Sequence, residues 1–209
     1  MNAPPANVVR HHGSVTAERR EQQNGQRAIV VWFTGLSGAG KSTLAHEVEE
    51  ALHNQGRRSF VLDGDNVRHG LCSDLGFSPA DRRENLRRIA EVARLFVEAG
   101  SIVLAAFISP LRADRERVKQ IVGAERFVEI YVSCPLEICE QRDVKGMYRR
   151  ARAGTLPEFT GISAPYEPPH VPELVVDTSE LSLMESVNLV LKFILISNNR
   201  QPVSSGETG

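Results

Sequence analysis

One ordered pattern, a glycine, four further residues, then glycine, lysine and serine, limits what this chain can fold into more than any other feature. Gly35, Leu36, Ser37, Gly38, Ala39, Gly40, Lys41 and Ser42 fit GxxxxGK[ST], between an apolar run at 28–34 and a helical pattern at 43–52. A phosphate-cradling loop needs that setting, with a strand before it and a helix after it. An unbroken apolar run of strand length describes a strand buried on both faces, central in a parallel sheet. Glycines let successive backbone N–H groups converge on phosphate oxygens, and the helix N-terminus adds a favourable partial charge. Lys41 is then placed to reach the β- and γ-phosphates of ATP. The Ser42 hydroxyl is placed to ligate Mg²⁺, directly or through water, with Thr43 close behind.

Shorter apolar runs recur at 59–62, 101–108, 127–132 and 174–176, separated by helix-like patterns. Such alternation predicts an α/β domain built from right-handed crossovers, with a parallel five-stranded sheet and helices on both faces. With the loop after the first strand, this is the P-loop NTPase fold. The clearest helix is predicted over 78–99: Ser78 caps it, Pro79 suits its first position, and Asp81 favours the positive end of its dipole. Leu86, Ile89, Ala90, Ala93, Leu95, Phe96 and Val97 form its expected buried face, and Gly100 stops it. The segment 143–172 is rich in glycine, proline and basic residues without a core pattern, and reads as a mobile lid. A last helix is expected at 181–196. The domain is bounded at 28–197, with a polar leader at 1–27 and a polar, disordered tail at 198–209.

With 209 residues there is room for one domain. A net charge of -1 offers no basis for a nucleic-acid or membrane partner. Three cysteines without a CxxC pair read as free thiols in a reducing compartment. The leader lacks a signal-type apolar core, and no stretch has bilayer-spanning length, so a cytoplasmic location is expected. His11 and His12 have no companion ligands and read as solvated, without a metal.

The loop alone does not choose between a kinase, an ATPase and a GTPase switch. No NKxD guanine-reading motif is present. After the second strand, Asp63 and Asp65 flank Gly64, and Arg68 follows. Ligands of open α/β sheets bind at that C-terminal edge. Asp63 is suited to orient or deprotonate an acceptor hydroxyl and to hold Mg²⁺ through water, and Asp65 to hold the acceptor side or a neighbouring arginine. Arg68, Arg82 and Asn85 suit an anionic acceptor, and Phe77 can stack on a base. Arg83, Arg87 and Arg88 read as a solvated helix face.

Four blocks, WFTGLSGAGKST (32–43), LDGDNVRHGLCSDLGFSPADRRENLRR (62–88), AFISPLRADR (106–115) and KGMYRRARAGTLPEFTGISAPYE (145–167), resemble adenylylsulfate kinase of the stand-alone bacterial type. The resemblance implies transfer of the ATP γ-phosphate to the 3′-hydroxyl of adenylylsulfate, a step of sulfate assimilation, by a homodimer. By position it makes Asp63 the acceptor-orienting acid, and Asp65, Arg68, Phe77, Arg82 and Asn85 substrate contacts. Lys145 and Phe159 are to close from the lid, Phe77 and Phe159 are to sandwich the substrate adenine, and Ile108 and Ser109 are to line the pocket. It also brings a proposed phosphoserine at Ser109, against which we favour direct in-line transfer. The adenine of ATP is expected near Arg142 and the loop at Asp177 and Thr178. Departures from the family pattern fall at Arg10, Val144, Ser133 and Cys134. Two other readings stay open: a P-loop kinase for another small hydroxyl compound, and a silent nucleotide-binding partner of an ATP sulfurylase.

Overall fold

The computed structural model describes residues 7–9, 11 and 13–199. Five strands, β1 (Val30–Thr34), β2 (Ser59–Asp63), β3 (Ile102–Ala106), β4 (Phe127–Ser133) and β5 (Leu174–Asp177), form one parallel sheet in the order β2-β3-β1-β4-β5. The seven α-helices of the described residues are α1 (Ala17–Asn24), α2 (Lys41–Asn54), α3 (Pro79–Glu98), α4 (Arg112–Val122), α5 (Leu136–Arg142), α6 (Met147–Arg152) and α7 (Leu183–Asn199). Strand β1 is central, with Trp32 opposite Ala105 on one side and Glu129 on the other. Every residue of β1 is buried, and its side chains alternate between two cores as the strand period requires. Val31 and Phe33 enter a core with Leu44, Val48 and Leu52 of α2 and Val190 and Ile194 of α7. Val30 and Trp32 enter the opposite core with Ile89, Ala90 and Ala93 of α3 and Val118 of α4. The five-stranded parallel expectation therefore holds, with helices on both faces.

Helix α3 begins as the sequence predicts: Ser78 Oγ accepts the Asp81 N–H at 3.2 Å, with Pro79 in the first turn. One residue of its expected buried face is corrected. Leu95 is 56% exposed, because it lies roughly 200° round the helix from Ala93, outside the apolar stripe. Phe96 is partly buried and stacks on Phe60 with centroids 5.0 Å apart. Helix α7 starts from a capping box, since Ser182 Oγ accepts the Glu185 N–H at 3.3 Å and Glu185 Oε2 accepts the Ser182 N–H at 2.8 Å. It extends past the predicted end to Asn199. The rest of the expected tail lies outside the described residues, as do Arg10 and His12.

Two segments carry more structure than their sequence suggests. Within the leader, α1 is capped by Thr16 and ended by Gly25 at φ 60. It docks on the domain through polar groups: Arg20 donates to Glu98 O at 2.9 Å, Asn24 to Gly100 O at 3.0 Å, and Glu21 pairs with Arg126. Apolar periodicity gives no sign of such docking. The 143–172 segment is also not without a core, because Tyr148, Ala151, Phe159 and Thr160 are buried. Glycines and prolines interrupt that pattern and hide it from a periodicity reading.

Candidate functional site

The phosphate loop runs from the end of β1 into α2. Its glycines are sterically required at two points. A Cβ on Gly35 would meet Val132 O at 2.4 Å, and Gly40, the residue before α2, holds φ 94. Four successive carbonyls of the loop are each held by a side-chain donor, three of them from outside the loop. Leu36 O accepts from Lys41 Nζ at 2.7 Å and Ser37 O from the Tyr148 hydroxyl at 2.8 Å. Gly38 O accepts from Arg142 at 3.3 Å and Ala39 O from the Thr178 hydroxyl at 2.9 Å. With its acceptors committed, the loop keeps its remaining polarity in N–H groups, and the first N–H groups of α2 have no partner within the helix. Arg142 also donates to Thr178 O at 2.6 Å, so α5 and the residue after β5 form one brace behind the loop.

Across the loop, Ser42 Oγ donates to Asp63 Oδ2 at 2.5 Å. Asp63 closes β2, and its other oxygen accepts the N–H groups of Asp65 at 2.9 Å and Asn66 at 3.3 Å. Burial alone would raise its pKa. The hydrogen bonds from Ser42 and the two amides outweigh burial and hold the carboxyl below its usual range, so it is ionised at neutral pH. Lys41 is buried, and that desolvation, only partly offset by neighbouring groups including Asp63, pushes its ammonium down to about 8. Lys145 pairs with Asp65 across the mouth of the site. Among the described residues no group of three or more His, Cys, Asp or Glu is gathered as a metal site. Ser42 and Asp63 together are hard oxygen donors of the kind that Mg²⁺ accepts, and they fit that ion.

On the acceptor side the structure gathers some predicted residues and separates others. The Arg68 guanidinium lies 4.2 Å over the Phe77 ring and donates to Leu75 O and Gly76 O, each at 3.0 Å. Arg82 reaches from α3 to the 143–172 segment, donating to Glu158 O at 2.8 Å and Thr160 Oγ1 at 3.1 Å. Asn85 is buried with its Nδ2 lacking any hydrogen-bond partner. Phe77 is exposed, whereas Phe159 is buried edge-on against Tyr148 with centroids 5.0 Å apart. No ring contact joins Phe77 to Phe159 among the described residues. The surface reading of Arg87 and Arg88 holds, as they pair with Glu84 and Arg88 also with Asp74.

Ser109 follows Ile108 beyond β3 and is 3% exposed. Its hydroxyl accepts from Trp32 Nε1 at 3.0 Å and lies 3.2 Å from Thr34 Oγ1, while Thr34 in turn donates to Ile108 O at 2.8 Å. The backbone of Ser109 sits at φ 39, a strained value for a side-chain-bearing residue. Arg115, which sequence reasoning passed over, holds it there. This buried arginine donates to Ser109 O at 2.7 Å and Glu167 O at 2.8 Å, and pairs with Glu129 at 2.5 Å. Tyr148 and Arg115 are the functional neighbours the sequence did not single out by role, and Thr178, expected near the adenine of ATP, proves to hold the Ala39 carbonyl of the loop. Only the place of Tyr148 and Arg115 within the family-like blocks 145–167 and 106–115 hinted at them.

A parallel sheet with a phosphate loop after its central strand, a carboxylate beside the loop's serine, and cations facing them define a P-loop phosphotransferase. The Adenylylsulphate kinase family model matches residues 27–177, about three quarters of the chain. The chain belongs to that family. It is 58% identical over 200 residues to the adenylyl-sulfate kinase of Acaryochloris marina, covering 96% of this chain and 98% of that one. The Mycobacterium tuberculosis APS kinase, solved in complex with AMPPNP and APS, superposes with TM-score 0.78 at 46% identity over 81% of this chain and 98% of that one. A hexameric APS kinase from Thiobacillus denitrificans superposes with TM-score 0.59 at 36% identity, over 83% of this chain and 29% of that one. No helix of the described residues is long and apolar enough to cross a membrane.

Proposed function

We propose that this chain transfers the γ-phosphate of ATP to the 3′-hydroxyl of adenylylsulfate, giving ADP and 3′-phosphoadenylylsulfate. The observation that carries the reading is the 2.5 Å contact between Ser42 on the ATP loop and Asp63 at the acceptor edge, which puts donor and acceptor chemistry side by side. Asp63 is ionised and aligns the hydroxyl oxygen with the γ-phosphorus. As the new oxygen–phosphorus bond forms, the bond to the β-phosphate oxygen breaks. ADP keeps its electron pair, and the hydroxyl proton passes through Asp63 to solvent. Lys41 neutralises charge on the transferring group. Ser42 and Asp63 would hold Mg²⁺, which when bound spreads that charge further.

The acceptor is read by Arg68, Arg82, Asn85 and Phe77, with Asp65, Lys145, Ile108 and Phe159 completing its pocket. The unpaired Asn85 amide supports this, because a buried donor without a partner costs about 1–3 kcal/mol until a ligand satisfies it. For Phe159 to stack on the acceptor it must turn away from Tyr148. The sequestered Ser109 hydroxyl favours direct transfer over a phosphoserine. A homodimer in a reducing, cytosolic setting is the assembly we expect, and sedimentation at micromolar concentration tests it. An ATP sulfurylase partner is expected only if the two co-elute.

ADP release measured with and without adenylylsulfate, and against nucleoside and sugar-acid acceptors, tests the reading. Strong dependence on adenylylsulfate, lost in Asp63→Asn while ATP still binds, is the expected result. Equal rates with the other acceptors would sink the acceptor assignment, and near-normal turnover in Asp63→Asn would remove that residue's role.

A further inference from the structure

Of the four donors that hold the loop carbonyls, Tyr148 alone belongs to the segment that also meets the acceptor side. Its hydroxyl donates to Ser37 O at 2.8 Å, and its ring meets Phe159 edge-on with centroids 5.0 Å apart and planes at 83°. It is buried, and its backbone is fixed as well, because Asp143 accepts the N–H groups of Tyr148 at 2.9 Å and Arg149 at 3.1 Å. Phe159 in turn adjoins Thr160, which Arg82 grips at 3.1 Å. One side chain therefore touches the ATP loop with its polar end and Phe159 of the acceptor-side segment with its ring.

We infer that Tyr148 is a positioning residue that sets the phosphate loop in its ATP-binding form and makes that form depend on where the acceptor segment lies. The hydroxyl holds the Ser37 carbonyl outward, so the peptide that follows presents its N–H inward, towards phosphate. The ring transmits the position of Phe159. When Phe159 turns towards an acceptor base, the edge contact changes and the Ser37 bond changes with it. Occupancy of one half of the site thereby alters affinity in the other, reciprocally. The coupling half of this inference rests on the adenylylsulfate reading. The ATP half does not.

Tyr148→Phe keeps the ring and removes only the hydroxyl. Titration calorimetry with a non-hydrolysable ATP analogue, without acceptor, should show affinity weakened roughly three- to tenfold, the scale of one hydrogen bond. The melting temperature should fall by no more than the few degrees that one lost hydrogen bond costs a chain of this size, whereas a merely structural residue would lower it and leave the affinity for the analogue unchanged. A smaller loss of ATP-analogue affinity overturns the positioning role. Should the variant not fold, hydrogen exchange on the parent protein decides: adenylylsulfate alone should slow the amides of 36–40. Protection confined to 143–172 overturns the coupling. If adenylylsulfate protects nothing, the acceptor reading has failed, and the ATP-analogue titration, or in a non-folding variant the slowing of the 143–172 amides by that analogue, still judges Tyr148.

Discussion

The Trp32 indole, on the central strand β1, donates to the Ser109 hydroxyl just beyond the end of β3 at 3.0 Å. That hydroxyl is 3% exposed and already spoken for. A covalent role would require it to leave these partners and meet the γ-phosphate. Ser109→Ala should therefore retain kcat within about tenfold, while the orphaned Trp32 N–H costs about 1–3 kcal/mol of stability. Steady-state kinetics and a denaturant melt check both. A thousandfold loss of kcat in a folded variant would restore the phosphoserine.

Lys41 titrates at about 8 in the folded chain against 10.5 in an open one, because burial disfavours its charge. Between those values the unfolded chain binds more protons, so stability should rise with pH through that window and be lowest below it. Catalysis should move oppositely. As pH rises through about 8 the free enzyme loses the ammonium that meets the phosphates, and kcat/KM for ATP should fall. Saturating ATP favours the charged form, so kcat should hold to higher pH. A pH–rate profile of both constants separates the two limbs, and superimposable limbs would count against Lys41 as the titrating group.

Arg82 links α3 to the 143–172 segment through Glu158 O and Thr160 Oγ1. Arg82→Ala should loosen that segment, so trypsin should cleave at Arg149, Arg150 and Arg152 several times faster. KM for adenylylsulfate should rise roughly tenfold or more, the scale of charge-assisted hydrogen bonds. Unchanged proteolysis with a raised KM would leave Arg82 as a substrate contact only.

The three cysteines are free and buried. Burial, together with the neighbouring Cys134, pushes the Cys139 thiol up to about 12, and burial raises Cys72 as well. Thiolates are the reactive form. Ellman's reagent should find less than one thiol per chain in the native protein and three after denaturation. Rapid native labelling of Cys139 would contradict this.

What could be read from the sequence was chemistry dictated by adjacent residues. The loop at 35–42, the Ser78 cap and the alternating strands each depend on neighbours along the chain, so their order discloses them. The contact of Tyr148 with Ser37 spans 111 positions, and that of Arg82 with Thr160 spans 78. No local pattern encodes such pairs. Helix α1 was hidden for another reason, since it docks through Arg20, Glu21 and Asn24 rather than through an apolar stripe. The strain at Ser109 was equally silent, because serine carries no signature of positive φ as glycine does.

The braces on the phosphate loop also bear on the birth of the protein. A nascent chain displays the entire GxxxxGK[ST] motif once Ser42 has left the ribosome. Yet three of the four carbonyl holds come from Arg142, Tyr148 and Thr178, which emerge much later. The motif must wait, present but unset, until β5 and Thr178 arrive, so competence to take up ATP follows their emergence rather than that of the motif itself.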